Sequence, residues 1–187
     1  MSASHPPIQF VTRRRALGLA MVAVAAPLLD EAAFAASVVR PWPAARPVPG
    51  LDLADLDGKR WTLPGLAGKV VLLNFWATWC EPCRIEMPSL DALAERYRKR
   101  DLVILAVNYR ESAAVIRTFL EHMPYKATIL LDAEGDAAVE WTPRIFPSTV
   151  LIGRDGKPHE TVLGDLDWGS AAARALVEPL LAAPSTT

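Results

Sequence analysis

The stretch Val70-Val71-Leu72-Leu73-Asn74-Phe75-Trp76-Ala77-Thr78-Trp79-Cys80-Glu81-Pro82-Cys83-Arg84-Ile85-Glu86-Met87-Pro88 decides the fold. Its first part, Val70 to Phe75, is a nearly unbroken apolar run, the pattern of a strand covered on both faces in a parallel sheet. From Pro82 to about Lys99 the spacing predicts a helix. The cysteines fall where strand gives way to helix. Free backbone N–H groups and the positive end of the helix dipole point at Cys80 there and favour its thiolate. Cys83 lies one turn inside the helix, within disulfide reach of Cys80. On this reading Cys80 attacks, and Cys83 resolves the mixed disulfide formed with a partner protein. Two readings compete. A structural staple closing a loop of about four residues gains only about 2 kcal/mol of chain entropy. A zinc site would have to recruit His122 and His159, which lack paired spacing.

Outward from this stretch the chain alternates strand and helix. Leu102 to Val107 reads as a second buried strand, and Ser112 can cap a helix reaching about His122. Thr128 to Leu131 reads as a short third strand, and Ala133 to Trp141 as a short helix. Thr149 to Ile152 and Glu160 to Leu163 then flank Arg154-Asp155-Gly156-Lys157 as an antiparallel hairpin. A last helix opens at Asp167 or Ser170 and carries Trp168, Ala172, Leu176 and Leu180 on one side. On the N-terminal side, residues 51–63 alternate around Asp57-Gly58, a hairpin turn. Together these predict an α/β fold with a mixed sheet and helices on both faces.

Composition narrows the function. The 187 residues are 51% hydrophobic and 22% charged, with 20 Lys+Arg against 21 Asp+Glu and a net charge of −1. This is one globular domain with additional chain, and the charge balance argues against a nucleic-acid partner. Two cysteines and three histidines leave no material for a disulfide-dense scaffold or a four-thiolate metal site.

The first 35 residues read as an address. Arg13-Arg14-Arg15 precede a charge-free apolar stretch from Ala16 to Leu29, and Ala33-Phe34-Ala35 offers small residues for cleavage. A retained membrane anchor is the competing reading. Fourteen residues, however, span only about 21 Å of helix against a hydrocarbon layer of roughly 30 Å. Thr12 to Leu17 partly matches a twin-arginine export motif, although Ala16 stands where an aromatic is usual, and general secretion remains open. The expected organisation is a signal peptide at 1–35, a proline-rich tether at 36–49 and one domain at 50–187. The expected location is the periplasm.

Gly68 to Pro88 resembles the active-site stretch of the TlpA/ResA-like thioredoxins, and the resemblance runs from about residue 50 to 182. It implies a thioredoxin fold with an N-terminal hairpin and a central βαβ insertion near residues 108–141. It also implies a periplasmic thiol:disulfide reductase, often membrane-tethered, linked to cytochrome c maturation and recharged by a membrane thiol-electron donor. Its clients would be proteins with cysteine disulfides, and no cofactor is implied. Pro88 would kink the helix rather than end it, since amphipathic spacing continues through Leu90, Leu93 and Ala94.

Asn74 stands where ordinary thioredoxins carry a buried Asp, and Glu86, on nearly the same helical face as Cys83, would handle the exchanged proton. The alternative for Glu86 is an ordinary solvated glutamate. Phe146-Pro147-Ser148-Thr149 resembles the cis-proline loop, in which Phe146 would pair strand-like with a client peptide. Trp79 would cover the disulfide and offer an apolar contact. Glu81 opposes negative charge on Cys80, which points to a reductant. A disulfide isomerase or oxidase, or a copper-handling chaperone using Cys80, Cys83 and Met87, are the alternatives.

Overall fold

The computed structural model describes residues 37–184; the expected signal segment, residues 1–35, lies outside them. In chain order the elements are β1 (Val38–Pro41), β2 (Asp52–Ala54), β3 (Arg60–Thr62), a 3-10 turn (Pro64–Leu66), β4 (Val70–Trp76) and α1 (Glu81–Arg96). These are followed by β5 (Leu102–Tyr109), α2 (Ala113–His122), β6 (Thr128–Asp132), α3 (Asp136–Trp141), β7 (Ser148–Ile152), β8 (Pro158–Leu163) and α4 (Ala171–Ala182). Six strands form a mixed sheet in the order β1-β8-β7-β4-β5-β6, and β2 and β3 form the separate hairpin.

β4 is central because its residues can be buried on both sides. All seven of its residues are buried, and it pairs parallel with β5 and antiparallel with β7. Successive side chains point to opposite faces. Val70, Leu72 and Trp76 join one apolar cluster with Met87, Leu90 and Leu93 of α1, Ile116 of α2, and Ala173, Val177 and Leu181 of α4. Val71, Leu73 and Phe75 join a second with Ala138 and Trp141 of α3 and Leu51 and Leu66. Helices thus lie on both faces, and a thioredoxin-like α/β fold results. α2, β6 and α3 fill the segment expected as the central insertion, with β6 parallel to β5.

One expectation is corrected. The stretch 36–49, expected as a tether, contributes β1, which pairs antiparallel with β8 from Val38↔Leu163 to Pro41↔Glu160. An edge strand tolerates Pro41, whose missing N–H costs no inner hydrogen bond. All four β1 residues are exposed, so the segment joins the sheet without entering the core. α1 runs on through Pro88 and ends at Arg96, short of Lys99.

Gly135 lets the end of β5 and the start of α3 approach each other. Its φ of +82° is left-handed, and a Cβ there would sit 2.6 Å from Cε2 of Tyr109 and 2.9 Å from Cδ of Arg110. Gly135→Ala is therefore expected to lower stability by about 1–2 kcal/mol. The reading is a lower urea midpoint at unchanged slope; an unchanged midpoint contradicts it.

Candidate active site

Cys80 and Cys83 form a disulfide. The local chain explains its place. β4 delivers the backbone to the C-terminal end of the sheet's central strand, and Cys80 caps α1 in an extended conformation. Its sulfur accepts the N–H of Cys83 at 3.3 Å, so one of the helix's unpaired amide donors already faces it. Pro82, in the first turn, has no N–H to leave unpaired. Cys80 is 5% exposed and Cys83 1%. Both are buried, with Cys80 the slightly more exposed of the two.

Glu86 is not a solvated helix glutamate. It is 3% exposed, and both carboxylate oxygens are engaged. Nδ2 of Asn74 donates to Oε1 at 2.7 Å. Nε1 of Trp168 and the N–H of Leu166 donate to Oε2 at 3.1 and 3.3 Å. Burial pushes its pKa up from 4.5 to about 7, against the three donors, which favour the charged form; the negative charge of Asp165 adds to the rise. Asn74 holds its orientation by a second bond, donating to Oγ1 of Thr149 at 3.0 Å. The network ties α1 to β4, β7 and the loop before α4.

The expected peptide-facing residues come together beside the disulfide-bearing turn. The bond between Phe146 and Pro147 is cis. Trp79 is 63% exposed, and its ring meets that of Phe146 edge-on at 6.1 Å. Phe146 in turn packs on Tyr109 at 4.9 Å. Ile85, two residues after Cys83, and Ile145, next to Phe146 in the chain, are exposed as well. Among the described residues the backbone of Phe146 takes no backbone hydrogen-bond partner. Met87, the third soft ligand of the copper reading, is buried in the core cluster. His122 bonds its own helix, with Nδ1 3.0 Å from the Thr118 carbonyl, and His159 lies in β8 near Asp155.

Sequence reasoning missed two participants. Trp168 is expected only on the apolar side of the last helix, yet its indole N–H reaches the Glu86 carboxylate 82 positions away. Glu111, one residue ahead of the Ser112 cap, reaches back to Thr78 in the turn before Cys80. Neither contact follows any helical or strand period. The available signal was topological, since Glu111 lies two residues past the end of β5, the parallel neighbour of the strand that leads to the cysteines.

The raised pKa of Glu86 makes stability depend on pH. Below pH 4.5 the side chain is protonated in both the folded and the unfolded chain; above pH 7 folding must bury its charge. Between those limits the unfolded chain binds fewer protons, so stability falls as pH rises. Relative to Glu86→Gln, the wild type should lose about 3 kcal/mol across this window. Urea denaturation at a series of pH values measures it, and parallel curves for the two proteins would contradict it.

The AhpC/TSA family pattern matches residues 44–158. The chain is 32% identical over 117 residues to the thiol-disulfide oxidoreductase ResA of Bacillus cereus, covering 63% of this chain and 68% of that one. Among solved structures, a thiol:disulfide interchange protein described as DsbE from Chlorobium tepidum superposes with a TM-score of 0.66 at 27% identity, covering 71% of this chain and 94% of that one. The exposed lipoprotein thioredoxin of Streptococcus pneumoniae does so at 0.61 and 29%, covering 70% and 99%. With the buried cysteine pair at a helix N-terminus, these likenesses place the chain in the AhpC/TSA family, as a thiol-disulfide oxidoreductase of the ResA type.

Proposed function

We propose that this oxidoreductase is exported and works as a reductant, opening disulfides in secreted or periplasmic proteins, with the cysteine pairs of apocytochromes c as the client class. The observation that carries the reading is the asymmetry of the cysteine pair. Both sulfurs are buried, but Cys80 keeps the slightly greater exposure and caps the helix next to exposed Trp79, whereas Cys83 lies one turn along the helix whose next turn carries Glu86.

The exchange follows from that asymmetry. The Cys80 thiolate attacks one sulfur of the client disulfide, the client's S–S bond breaks, and its other sulfur leaves as a thiolate and takes up a proton. Cys83 then gives up its proton and attacks the Cys80 sulfur. The mixed disulfide breaks, the second client thiol departs, and Cys80–Cys83 is oxidised. The two electrons have passed to the client. Glu86, held near neutrality by burial, accepts the Cys83 proton in this scheme. The free backbone of Phe146 and the exposed ring of Trp79 bind the client's cysteine-bearing segment as a short added strand.

The reducing direction rests on negative charge around the sulfurs. Glu81 opens α1 beside Cys80, and strong oxidants instead stabilise that thiolate. A reductant outside the cytoplasm must be recharged, which calls for a membrane thiol-electron donor. Export rests on Arg13 to Arg15, the apolar run after them and the small residues at 33–35, and the likeness to an exposed lipoprotein thioredoxin agrees with it.

Cys83→Ala removes the resolving thiol and should freeze the mixed disulfide at Cys80. Expressed in the native host, this variant should accumulate dithiothreitol-sensitive adducts with exported cysteine proteins, with mature apocytochromes among them, whereas Cys80→Ala should hold none. Adducts only with cytoplasmic proteins would contradict export. Equal trapping by both variants would contradict the assignment of the nucleophile.

A further inference from the structure

The carboxylate of Glu111 occupies a position that neither the exchange scheme nor helix capping explains. It follows β5 and precedes the Ser112 cap of α2. Its Oε2 accepts the backbone N–H of Thr78 at 2.7 Å, and its Oε1 accepts the Thr78 hydroxyl at 2.5 Å. Its Oε2 also accepts Nδ2 of Asn108 at 2.8 Å. Thr78 stands two residues before Cys80, inside the turn that Cys80 N–H closes onto the Ala77 carbonyl at 3.1 Å. The middle of the nucleophile turn is thus fastened to the neighbouring strand by one side chain.

Two further features accompany this contact. Asn108 is entirely buried, and its carboxamide oxygen has no partner among the described residues. Its amide end is engaged by Glu111, so a polar side chain stays in the interior with half its capacity unused. The residue that turns the chain toward Glu111 is Arg110, whose φ of +59° is left-handed without being glycine. Such backbone persists where the surroundings demand it, and it gathers at functional sites. A loop glutamate serving only solubility would need neither feature.

We propose that Glu111 is the positioning residue of the nucleophile turn. Its carboxylate bridges Thr78 to Asn108 and so holds Cys80 in register with the N-terminus of α1, where the amide donors favour the thiolate. The hydrogen bonds carry the effect. Glutamine can supply them too, with its oxygen facing the Thr78 N–H and Asn108 and its amide donating to the Thr78 hydroxyl, whereas alanine supplies none. Loss of the bridge frees the turn, and small misplacements of a reacting atom slow the chemistry disproportionately.

The test compares Glu111→Ala and Glu111→Gln in the whole chain. Two rates are read at pH 7: alkylation of reduced Cys80 by iodoacetamide, and dithiothreitol-driven reduction of insulin disulfides. In Glu111→Ala both should fall about tenfold or more, and in Glu111→Gln both should return to within about threefold of wild type. Rescue of the rates by glutamine is what a merely structural contribution to folding would not produce at equal melting temperature. Unchanged rates in Glu111→Ala would overturn the proposal. Equal impairment in Glu111→Gln would also overturn it, since charge rather than hydrogen bonding would then be at work. Should Glu111→Ala not fold, Thr78→Ala removes one of the two Thr78 bonds; a smaller fall in the same two rates supports the bridge, and wild-type rates overturn it.

Discussion

A helix N-terminus must be left with free amide donors, and this fold points them at a sulfur atom. Cys80 serves as the cap of α1, a role usually taken by Ser, Thr, Asp or Asn. The same donors that need a partner for the helix to begin are those that stabilise a thiolate when the disulfide opens. The sheet exists to hold that junction still. β4 is buried along its whole length, braced by β5 on one side and β7 on the other, and it ends where the reactive turn starts.

Around this junction the protein keeps three carboxylates in three different settings. Glu81 is in the first turn of α1 and exposed to water. Glu86 is inside, its charge opposed by burial and supported by Asn74, Trp168 and Leu166. Glu111 is at the rim, occupied by Thr78 and Asn108. The same functional group is therefore available as a solvated charge beside Cys80, a titrating group near neutral pH and a fixed hydrogen-bond acceptor. Environment alone separates them.

The elements surrounding the cysteines were legible because each is governed by a local period. The apolar run Val70 to Phe75, the cap at Ser112 and the Asp57-Gly58 hairpin appear where their patterns put them, and of the two starts offered for the last helix, Asp167 and Ser170, the cap is Ser170. The cis bond before Pro147 came from family resemblance and not from periodicity. β1 was illegible for a physical reason. Its four residues are exposed and include a proline, so they carry no burial pattern, and only the unpaired edge of β8 gives them a place. The partners of Glu86 and Thr78 were illegible for another. Trp168 and Glu111 arrive from remote segments, and hydrogen bonds between distant side chains leave no spacing in the sequence.

The exchange chemistry is tested most directly by titrating the purified protein through graded mixtures of reduced and oxidised dithiothreitol or glutathione, following the fluorescence of Trp79 and its neighbours alongside mass-tagged free thiols. A single two-electron transition shared by Cys80 and Cys83 is predicted, at a potential clearly more negative than the roughly −120 mV of a strong disulfide oxidant. Thiols that remain unchanged across the whole range, or a transition at the oxidant's potential, would contradict a reversible reductant.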